Sequence, residues 1–119
     1  MEKILEQSLL FDFYGELLTP HQKSVYEDFV LNDLSLGEIA EERQISRQGV
    51  YDIVKRCNRQ LEGYENKLHL VDRFVNAKTK IEKIHRMAGD ILLEPENHAE
   101  GIARVKDIEQ LCDELMDEL

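Results

Sequence analysis

One segment in the middle of the chain carries side chains of the kinds that contact nucleic acids. Between residues 46 and 59, a predicted helix presents hydroxyl, amide, phenol, carboxylate and cationic groups on Ser46, Arg47, Gln48, Tyr51, Asp52, Lys55, Arg56 and Arg59. Arginine pairs with guanine and glutamine with adenine, while lysine and arginine also hold phosphates. We therefore predict that Arg47 and Gln48 contact base edges, and that Lys55, Arg56 and Arg59 anchor phosphates.

Two residues of this segment leave their roles open. Tyr51 can reach a phosphate, a thymine methyl group or a ribose, or it can pack on the protein surface. Asp52 repels phosphates unless it accepts a hydrogen bond from a cytosine amine. For the cationic residues, the alternative is a solvated helix face with local charge pairs. The segment alone does not decide between these interpretations.

The other reactive side chains do not form a recognisable catalytic or metal site. The four histidines share no ligand spacing, the glycines are isolated, and no nucleophile is paired with a base. We therefore predict that the protein is not an enzyme and uses no metal or cofactor. Cys57 and Cys112 form no Cys-x-x-Cys pair. Both are predicted to be core residues, and the reducing cytoplasm is the expected compartment.

Charge is distributed unevenly along the 119 residues, whose formal net charge is −10. Residues 1–42 carry −8, residues 43–86 carry +6, and residues 87–119 carry −8. Because exposed charges act mainly within a Debye length of about 8 Å, the basic middle can attract a polyanion despite the acidic ends. The acidic ends weaken loose binding, so we expect selective or weak binding rather than general coating of nucleic acid.

The elements that position the basic segment form a predicted helix-turn-helix. Ser35 with Glu38 begins one helix that runs to about Glu42, and Ser46 caps a second helix that ends near residue 59 or 60. Ala40 is the small residue at the crossing. The residues predicted to fill the corner are Ile39, Ile45, Val50 and Ile53, and those predicted to point inward from the second helix are Val50, Ile53, Val54, Cys57 and Leu61.

Helical periodicity extends over the rest of the chain. A first helix ends near Gly15, and Thr19 with Gln22 caps the next, whose predicted buried face holds Val25, Tyr26, Phe29 and Val30. A longer helix covers about residues 62–92, with apolar positions at Tyr64, Leu68, Val71, Val75, Ile81, Ile84, Ala88 and Ile91. Glu94-Pro95-Glu96 is expected to end it. Asn97 is predicted to cap a last helix with its apolar face at Ile102, Val105, Ile108, Leu111, Leu115 and Leu119.

These patterns predict an all-α fold: a helix-turn-helix bundle followed by a long helix and a C-terminal amphipathic helix. The helix-turn-helix domain is placed at residues 1–61. Residues 62–119 hold the long helix and the acidic last helix, either in the same compact unit or as a dimerisation appendage. Apolar stripes that one small corner cannot cover favour a homodimer. The acidic last helix is also suited to fold over the basic long helix and to compete there with nucleic acid.

Three motifs carry a resemblance to region 4 of bacterial sigma factors. They are Leu17-Leu18-Thr19-Pro20-His21-Gln22, Ser35-Leu36-Gly37-Glu38-Ile39-Ala40 and Ser46-Arg47-Gln48-Gly49-Val50. The resemblance implies a sigma-region-4-like helix-turn-helix that binds DNA. Gln44 departs from the pattern, because that family often has glycine in the turn. A left-handed backbone there costs glutamine about 1 kcal/mol.

Over nearly its whole length the chain is similar to the YlxM family. The similarity rests on Phe11-Asp12-Phe13-Tyr14-Gly15-Glu16-Leu17-Leu18-Thr19, on Ser46-Arg47-Gln48-Gly49-Val50-Tyr51-Asp52, and on Tyr64-Glu65 with Lys67-Leu68. The resemblance implies a small cytosolic DNA-binding regulator connected with the signal recognition particle, through its RNA or its GTPases.

Three functions therefore remain to be compared: a DNA-binding regulator, an accessory that binds RNA or protein of the signal recognition particle, and a protein-interaction module with no nucleic-acid role. A membrane partner is not expected, because no apolar run approaches the roughly 20 residues of a membrane helix. The first residues also lack the pattern of a signal peptide.

Overall fold

The computed structural model describes residues 3–93 and 98–118, and within these ranges the regular structure is entirely helical. The helices are α1 (Lys3–Tyr14), a short 3-10 helix (Gly15–Leu17), α2 (Pro20–Val30), α3 (Leu36–Arg43), α4 (Arg47–Leu68), α5 (Leu70–Leu93) and α6 (His98–Glu118). The predicted all-α fold is confirmed. The chain forms two compact units, one ending at Val71 and the other beginning at Asp72.

The predicted helix starts of the first unit are confirmed by their side-chain hydrogen bonds. Thr19 and Gln22 form a reciprocal capping box at the start of α2, and Ser35 and Glu38 form another at the start of α3. The Ser46 hydroxyl accepts a hydrogen bond of 2.9 Å from the Gly49 amide at the start of α4. Each cap satisfies amide donors that the first helical turn leaves unpaired, so these starts follow from local sequence.

The predicted end of the second helix near residue 59 or 60 is wrong, because α4 continues to Leu68. The break falls at His69, which takes a left-handed backbone with φ 57°. The first amides of α5 are then satisfied from outside that helix. Leu70 N donates to the Tyr14 hydroxyl at 3.1 Å, and Val71 N donates to Glu65 Oε1 at 2.9 Å. The boundary therefore depends on a tyrosine more than fifty positions upstream.

The core of the first unit is built mainly from residues of α1 to α4, with Leu18 and Val71 added from outside these helices. Its largest fully buried side chains are Tyr14, Val25, Tyr26, Ile39, Val50, Cys57 and Leu61. An ion pair connects α2 to α3: Arg43 Nη2 lies 2.7 Å from Asp28 Oδ2. The same nitrogen donates a hydrogen bond of 2.7 Å to the Ser24 hydroxyl. Of the predicted buried face of α2, Phe29 is only partly covered, while Val25, Tyr26 and Val30 are buried.

In the second unit, α5 and α6 meet through a lysine that the apolar pattern did not include. Lys80 forms ion pairs with Glu118 and with Glu114, the latter at 3.5 Å, and the hydrogen bond from Lys80 to Glu118 is the main reason that the pKa of Lys80 is raised. Ile81, predicted for the covered stripe, is 56% exposed instead. The predicted covering of the basic long helix by the acidic last helix is therefore realised locally, at Lys80.

The other positions predicted for the covered apolar stripes of the last two helices differ in how far they are exposed. Leu68, Ala88, Ile102 and Val105 are exposed, whereas Val75, Ile84, Ile108, Leu111 and Leu115 are partly covered. Cys112 is exposed, which corrects its predicted core position, because the partly covered positions of this part of α6 lie at Ile108, Leu111, Glu114 and Leu115. The predictions for Glu94-Pro95-Glu96, Asn97 and Leu119 fall outside the described residues. A role of residues 62–119 as a dimerisation appendage stays a prediction.

Candidate nucleic-acid interface

The corner between α3 and α4 has the geometry of a helix-turn-helix. Gln44 ends α3 in a left-handed conformation, with φ 57° and ψ 43°, and the Ile45 amide donates back to Ala40 O at 3.1 Å. Ile39 and Val50 are fully buried inside the corner. Ile45, also predicted to fill the corner, is 36% exposed, so its side chain lies at the edge of the corner and not inside it.

The start of α4 is shaped by Gly49 and Ser46. A Cβ on Gly49 would lie 3.1 Å from the Ser46 hydroxyl oxygen, the atom that accepts the Gly49 amide. The close neighbour of Gly49 is thus a capping hydroxyl. Because this oxygen accepts the amide hydrogen bond, the Ser46 hydroxyl hydrogen remains able to donate to a phosphate.

The two sides of α4 have opposite exposure. Val50, Val54, Cys57 and Leu61 are buried, and Ile53 is partly covered, as their inward spacing predicts. All eight candidate contact residues are exposed, namely Ser46, Arg47, Gln48, Tyr51, Asp52, Lys55, Arg56 and Arg59. We call the side chains of these eight residues the α4 contact face. Arg47 to Arg59 span roughly 18 Å of helix at 1.5 Å per residue.

The cationic groups of the α4 contact face keep their charge available. Within residues 3–93 and 98–118, none of Arg47, Lys55, Arg56 and Arg59 forms an ion pair with a carboxylate. Lys55 Nζ lies 5.9 Å from the centre of the Tyr51 ring, within the range of a cation–π contact. The alternative interpretation was a solvated helix face with local charge pairs. The four cationic residues are solvated, but no such charge pair is formed by them among the described residues.

The carboxylate of the contact face is held by its neighbour. Gln48 Nε2 donates to Asp52 Oδ1 at 3.0 Å, one helical turn away. This contact occupies one of the two N–H donors of the Gln48 amide, and the second N–H and the oxygen remain able to pair with adenine. Arg47, Gln48 and Tyr51 also line one open hollow of about 530 Å³ together with Leu36.

Sequence reasoning missed the residues of α1 that border α4. Lys3, Ile4 and Gln7 line a groove of about 540 Å³ with Tyr51 and Lys55 of the contact face, among other residues. Gln7 Nε2 lies 3.4 Å from Asn58 Oδ1, and Asn58 also accepts the Tyr26 hydroxyl. No local motif links α1 to α4, so only the packing of the first unit reveals this neighbourhood.

Cys57 takes no visible part in chemistry at this surface. Its side chain is fully buried, and burial raises the pKa of the thiol to about 11. The thiolate is therefore scarce at neutral pH, which makes the sulfur a poor nucleophile. The prediction that Cys57 is a core residue is confirmed.

Two wider features of the described residues bear on function. In residues 3–93 and 98–118, histidine, cysteine, aspartate and glutamate side chains form no group of three placed to hold a metal ion. Of the helices in the same ranges, none has the length and apolar character needed to cross a membrane.

Comparison with known proteins gives one family match and many relatives. The family model described as "UPF0122: Putative helix-turn-helix protein, YlxM / p13 like" matches residues 1–99. A UPF0122 protein of Thermoanaerobacter sp. (strain X514) is 43% identical over 96% of this chain and 97% of its own length. The UPF0122 protein of Oceanobacillus iheyensis is 43% identical over 92% of this chain and 99% of its own length. UPF0122 protein YlxM of Bacillus subtilis (strain 168) is 48% identical over 74% of this chain and 80% of its own length.

Proposed function

Because the chain belongs to the UPF0122 family of YlxM/p13-like helix-turn-helix proteins, we propose that it binds double-stranded DNA and acts as a regulatory protein. In this proposal α4 lies in the major groove, as the second helix of such a motif does. The observation that carries the proposal is the α4 contact face, on which four cationic side chains are exposed and form no ion pair among the described residues.

The order of side chains along α4 suits the two tasks of DNA recognition. Arg47 and Gln48 lie at the start of the helix, the end that meets base edges in helix-turn-helix proteins. Lys55, Arg56 and Arg59 follow about two to three turns further along the helix and are placed to neutralise phosphates. The face spans roughly 18 Å, which corresponds to about five base pairs. One such module therefore reads a short site.

Electrostatics favour selective binding over coating. The segment 43–86 carries +6, whereas the whole chain carries −10. Screening beyond a Debye length of about 8 Å lets the contact face attract phosphates at short range. At longer range the acidic flanks reduce sequence-independent affinity, so base contacts must supply more of the binding free energy.

The similarity to YlxM proteins supports a finer proposal, that the regulated context is the signal recognition particle pathway. The second candidate function is an accessory that binds the RNA of that particle or its GTPases without a DNA role. A specific observation favours the RNA form of this candidate. Several cations of α5 are exposed and form no ion pair among the described residues, namely Arg73, Lys78, Lys83 and Arg86. Such a helix suits recognition of RNA by shape and phosphates.

One titration distinguishes these functions. The full chain is titrated with labelled genomic duplex fragments and with signal recognition particle RNA, at 50 mM and 200 mM salt. A DNA regulator binds a subset of duplexes, and the three phosphate contacts of Lys55, Arg56 and Arg59 make its affinity fall about fortyfold between the two salt concentrations. Binding to the RNA with no duplex preference would instead support the accessory function. Failure to bind either polymer at the lower salt concentration would overturn the nucleic-acid proposal.

A further inference from the structure

A half-open groove runs between the N-terminal part of α1 and the exposed side of α4. Its volume is about 540 Å³. The apolar part of the lining comes from four helices: Ile4 of α1, Phe29 of α2, Leu36 of α3 and Val54 of α4. Ile4 is 46% exposed, so part of this lining faces solvent. Phe29 and Leu36 are partly covered and Val54 is buried, so the apolar lining is a recessed floor with Ile4 at its exposed edge.

The side-chain oxygen of Asn58, one of the polar atoms of the groove, is already satisfied by the protein. Asn58 Oδ1 accepts hydrogen bonds from the Tyr26 hydroxyl and, at 3.4 Å, from the Gln7 amide. A ligand therefore gains little by competing for the Asn58 oxygen. The chemistry of an occupant is set by the apolar lining and by whichever charged groups border it.

Both charged groups of the described groove lining are positive. They are the ammonium groups of Lys3 on α1 and Lys55 on α4, and no carboxylate belongs to the described lining. Neither lysine forms an ion pair within residues 3–93 and 98–118. An occupant that matches this groove has an apolar stripe flanked by acidic side chains.

The open form of the groove favours a helix over a small molecule. Small-molecule sites enclose most of their ligand, whereas this groove is open along one side. An amphipathic helix, by contrast, lays one apolar face into an open groove and leaves its polar face in water. We propose that this groove docks an acidic amphipathic helix of a partner protein. Because Tyr51 and Lys55 belong both to the groove and to the α4 contact face, the partner and nucleic acid exclude each other. This mutual exclusion rests on the proposed function.

The test uses a synthetic peptide and the full chain. The probe is a fluorescein-labelled 18-residue peptide with leucines on one helical face and glutamates elsewhere, measured by fluorescence anisotropy. Two control peptides have the leucines dispersed in sequence or lysine in place of glutamate. The acidic amphipathic peptide is expected to bind saturably, and both controls to bind at least about tenfold more weakly, because loss of an apolar anchor or of charge complementarity has at least that effect.

Matched variants locate the bound peptide. Ile4→Asp is expected to weaken peptide binding about tenfold, whereas Leu5→Asp, in the same turn of α1 and 55% exposed but outside the groove lining, leaves it unchanged. Lys3→Glu is expected to weaken binding roughly fivefold. Lys67→Glu, which changes the net charge equally at an exposed position outside the lining, has a much smaller effect. Far-ultraviolet circular dichroism and melting curves check that each variant is folded.

The outcomes separate docking from nucleic-acid binding. Equal binding of the three peptides, or equal effects of Ile4→Asp and Leu5→Asp, would overturn the docking proposal. If Ile4→Asp, but not Leu5→Asp, lowered the mass measured by analytical ultracentrifugation, the groove would be assigned to a second copy of the chain. That result would also overturn the docking proposal. If the peptide binds the groove while no duplex or RNA binds, docking stands and the proposed function fails. If both bind, the peptide is expected to displace labelled duplex.

Discussion

The Tyr14 hydroxyl donates a 2.6 Å hydrogen bond to Glu65 Oε1 and accepts one of 3.1 Å from the Leu70 amide. The same Glu65 oxygen accepts the Val71 amide at 2.9 Å. These contacts join α1 to the end of α4 and complete the start of α5. Burial is the main reason that the pKa of Tyr14 is raised, and its hydrogen bond to Glu65 adds to the effect. The hydroxyl therefore stays protonated and able to donate near neutral pH.

The first prediction concerns this hydroxyl. Tyr14→Phe is expected to lower the free energy of unfolding by about 1–3 kcal/mol, because it leaves the Leu70 amide and the Glu65 carboxylate short of a partner. Urea unfolding followed by circular dichroism measures the change. Tyr64→Phe is the control: its ring centre lies 6.0 Å from that of Tyr14, and no described hydrogen bond involves its hydroxyl. Equal losses in the two variants would contradict the role given to the Tyr14 hydroxyl.

What the sequence could predict depends on how local the cause is. Thr19 with Gln22, Ser35 with Glu38, and Ser46 each fix a helix start through atoms no more than three residues apart, and all three starts are confirmed. The inward stripe of α4 is largely confirmed for a similar reason, since helical spacing determines which side chains share a face.

The predictions that failed required knowledge of distant partners. The break between α4 and α5 is accompanied by a hydrogen bond from Leu70 to Tyr14, and Ile45 is 36% exposed although its position in the turn predicted a place inside the corner. In the second unit, Ile81 was placed in the covered stripe on hydrophobicity alone. The partly covered residue there is Lys80, whose acidic partners lie more than thirty residues away on α6 and could not be recognised from the local sequence. The α1 side of the groove was missed because no sequence pattern links Lys3 or Ile4 to α4.

A second prediction follows from the ion pair between Asp28 and Arg43. The hydrogen bond from Arg43 is the main reason that the pKa of Asp28 lies below its ordinary value of 3.8. A carboxyl group with a lowered pKa in the folded state stabilises the fold above its unfolded pKa, and this stabilisation is lost as the pH falls through the folded value. Asp28→Asn is therefore expected to lower the free energy of unfolding by about 1.5–3 kcal/mol at pH 7.

The pH dependence of the Asp28→Asn effect gives the sharper measurement. The difference in free energy of unfolding between the parent protein and the variant should shrink as the pH falls below the ordinary value of 3.8 and through the lowered pKa that Asp28 has in the folded protein. Asp12→Asn, at an exposed position without a described ion pair, provides the control. A difference that stays constant from pH 7 to the acid transition would show that the ion pair does not stabilise the fold.

The turn of the helix-turn-helix yields a third prediction. Gln44 has φ 57°, a conformation that glycine adopts without the steric cost of a Cβ. Gln44→Gly is expected to raise the free energy of unfolding by up to about 1 kcal/mol. Glu41→Gly, at an exposed position within α3, should instead lower it by about 1 kcal/mol, since glycine is a poor helix former. Destabilisation by both substitutions would mean that the left-handed turn is not strained.

The exposed apolar residues of the second unit support a fourth prediction, a homodimer. Ile102 is 57% exposed and Val105 is 52% exposed on α6, and we propose that a second copy covers them. Analytical ultracentrifugation at tens of micromolar should give twice the chain mass of 13.9 kDa. The double substitution Ile102→Asp and Val105→Asp should give the monomer mass, while Leu31→Asp, 48% exposed in the first unit, should not. A monomer mass for the parent protein would contradict the proposal.

The fifth prediction divides the α4 contact face into residues that select a sequence and residues that supply affinity. Arg47→Ala should cost about 1–3 kcal/mol on a preferred duplex and much less on unrelated duplexes, because a base contact is lost. Lys55→Ala and Arg59→Ala should weaken binding to all duplexes alike, and each should reduce the slope of log affinity against log salt by about 1, because one phosphate contact is lost. Lys67→Ala, beyond this face on the same helix, is the control. Electrophoretic mobility shifts at several salt concentrations measure both quantities. If Arg47→Ala weakened all duplexes equally, Arg47 would be a phosphate contact, and the start of α4 would not be the part that reads sequence.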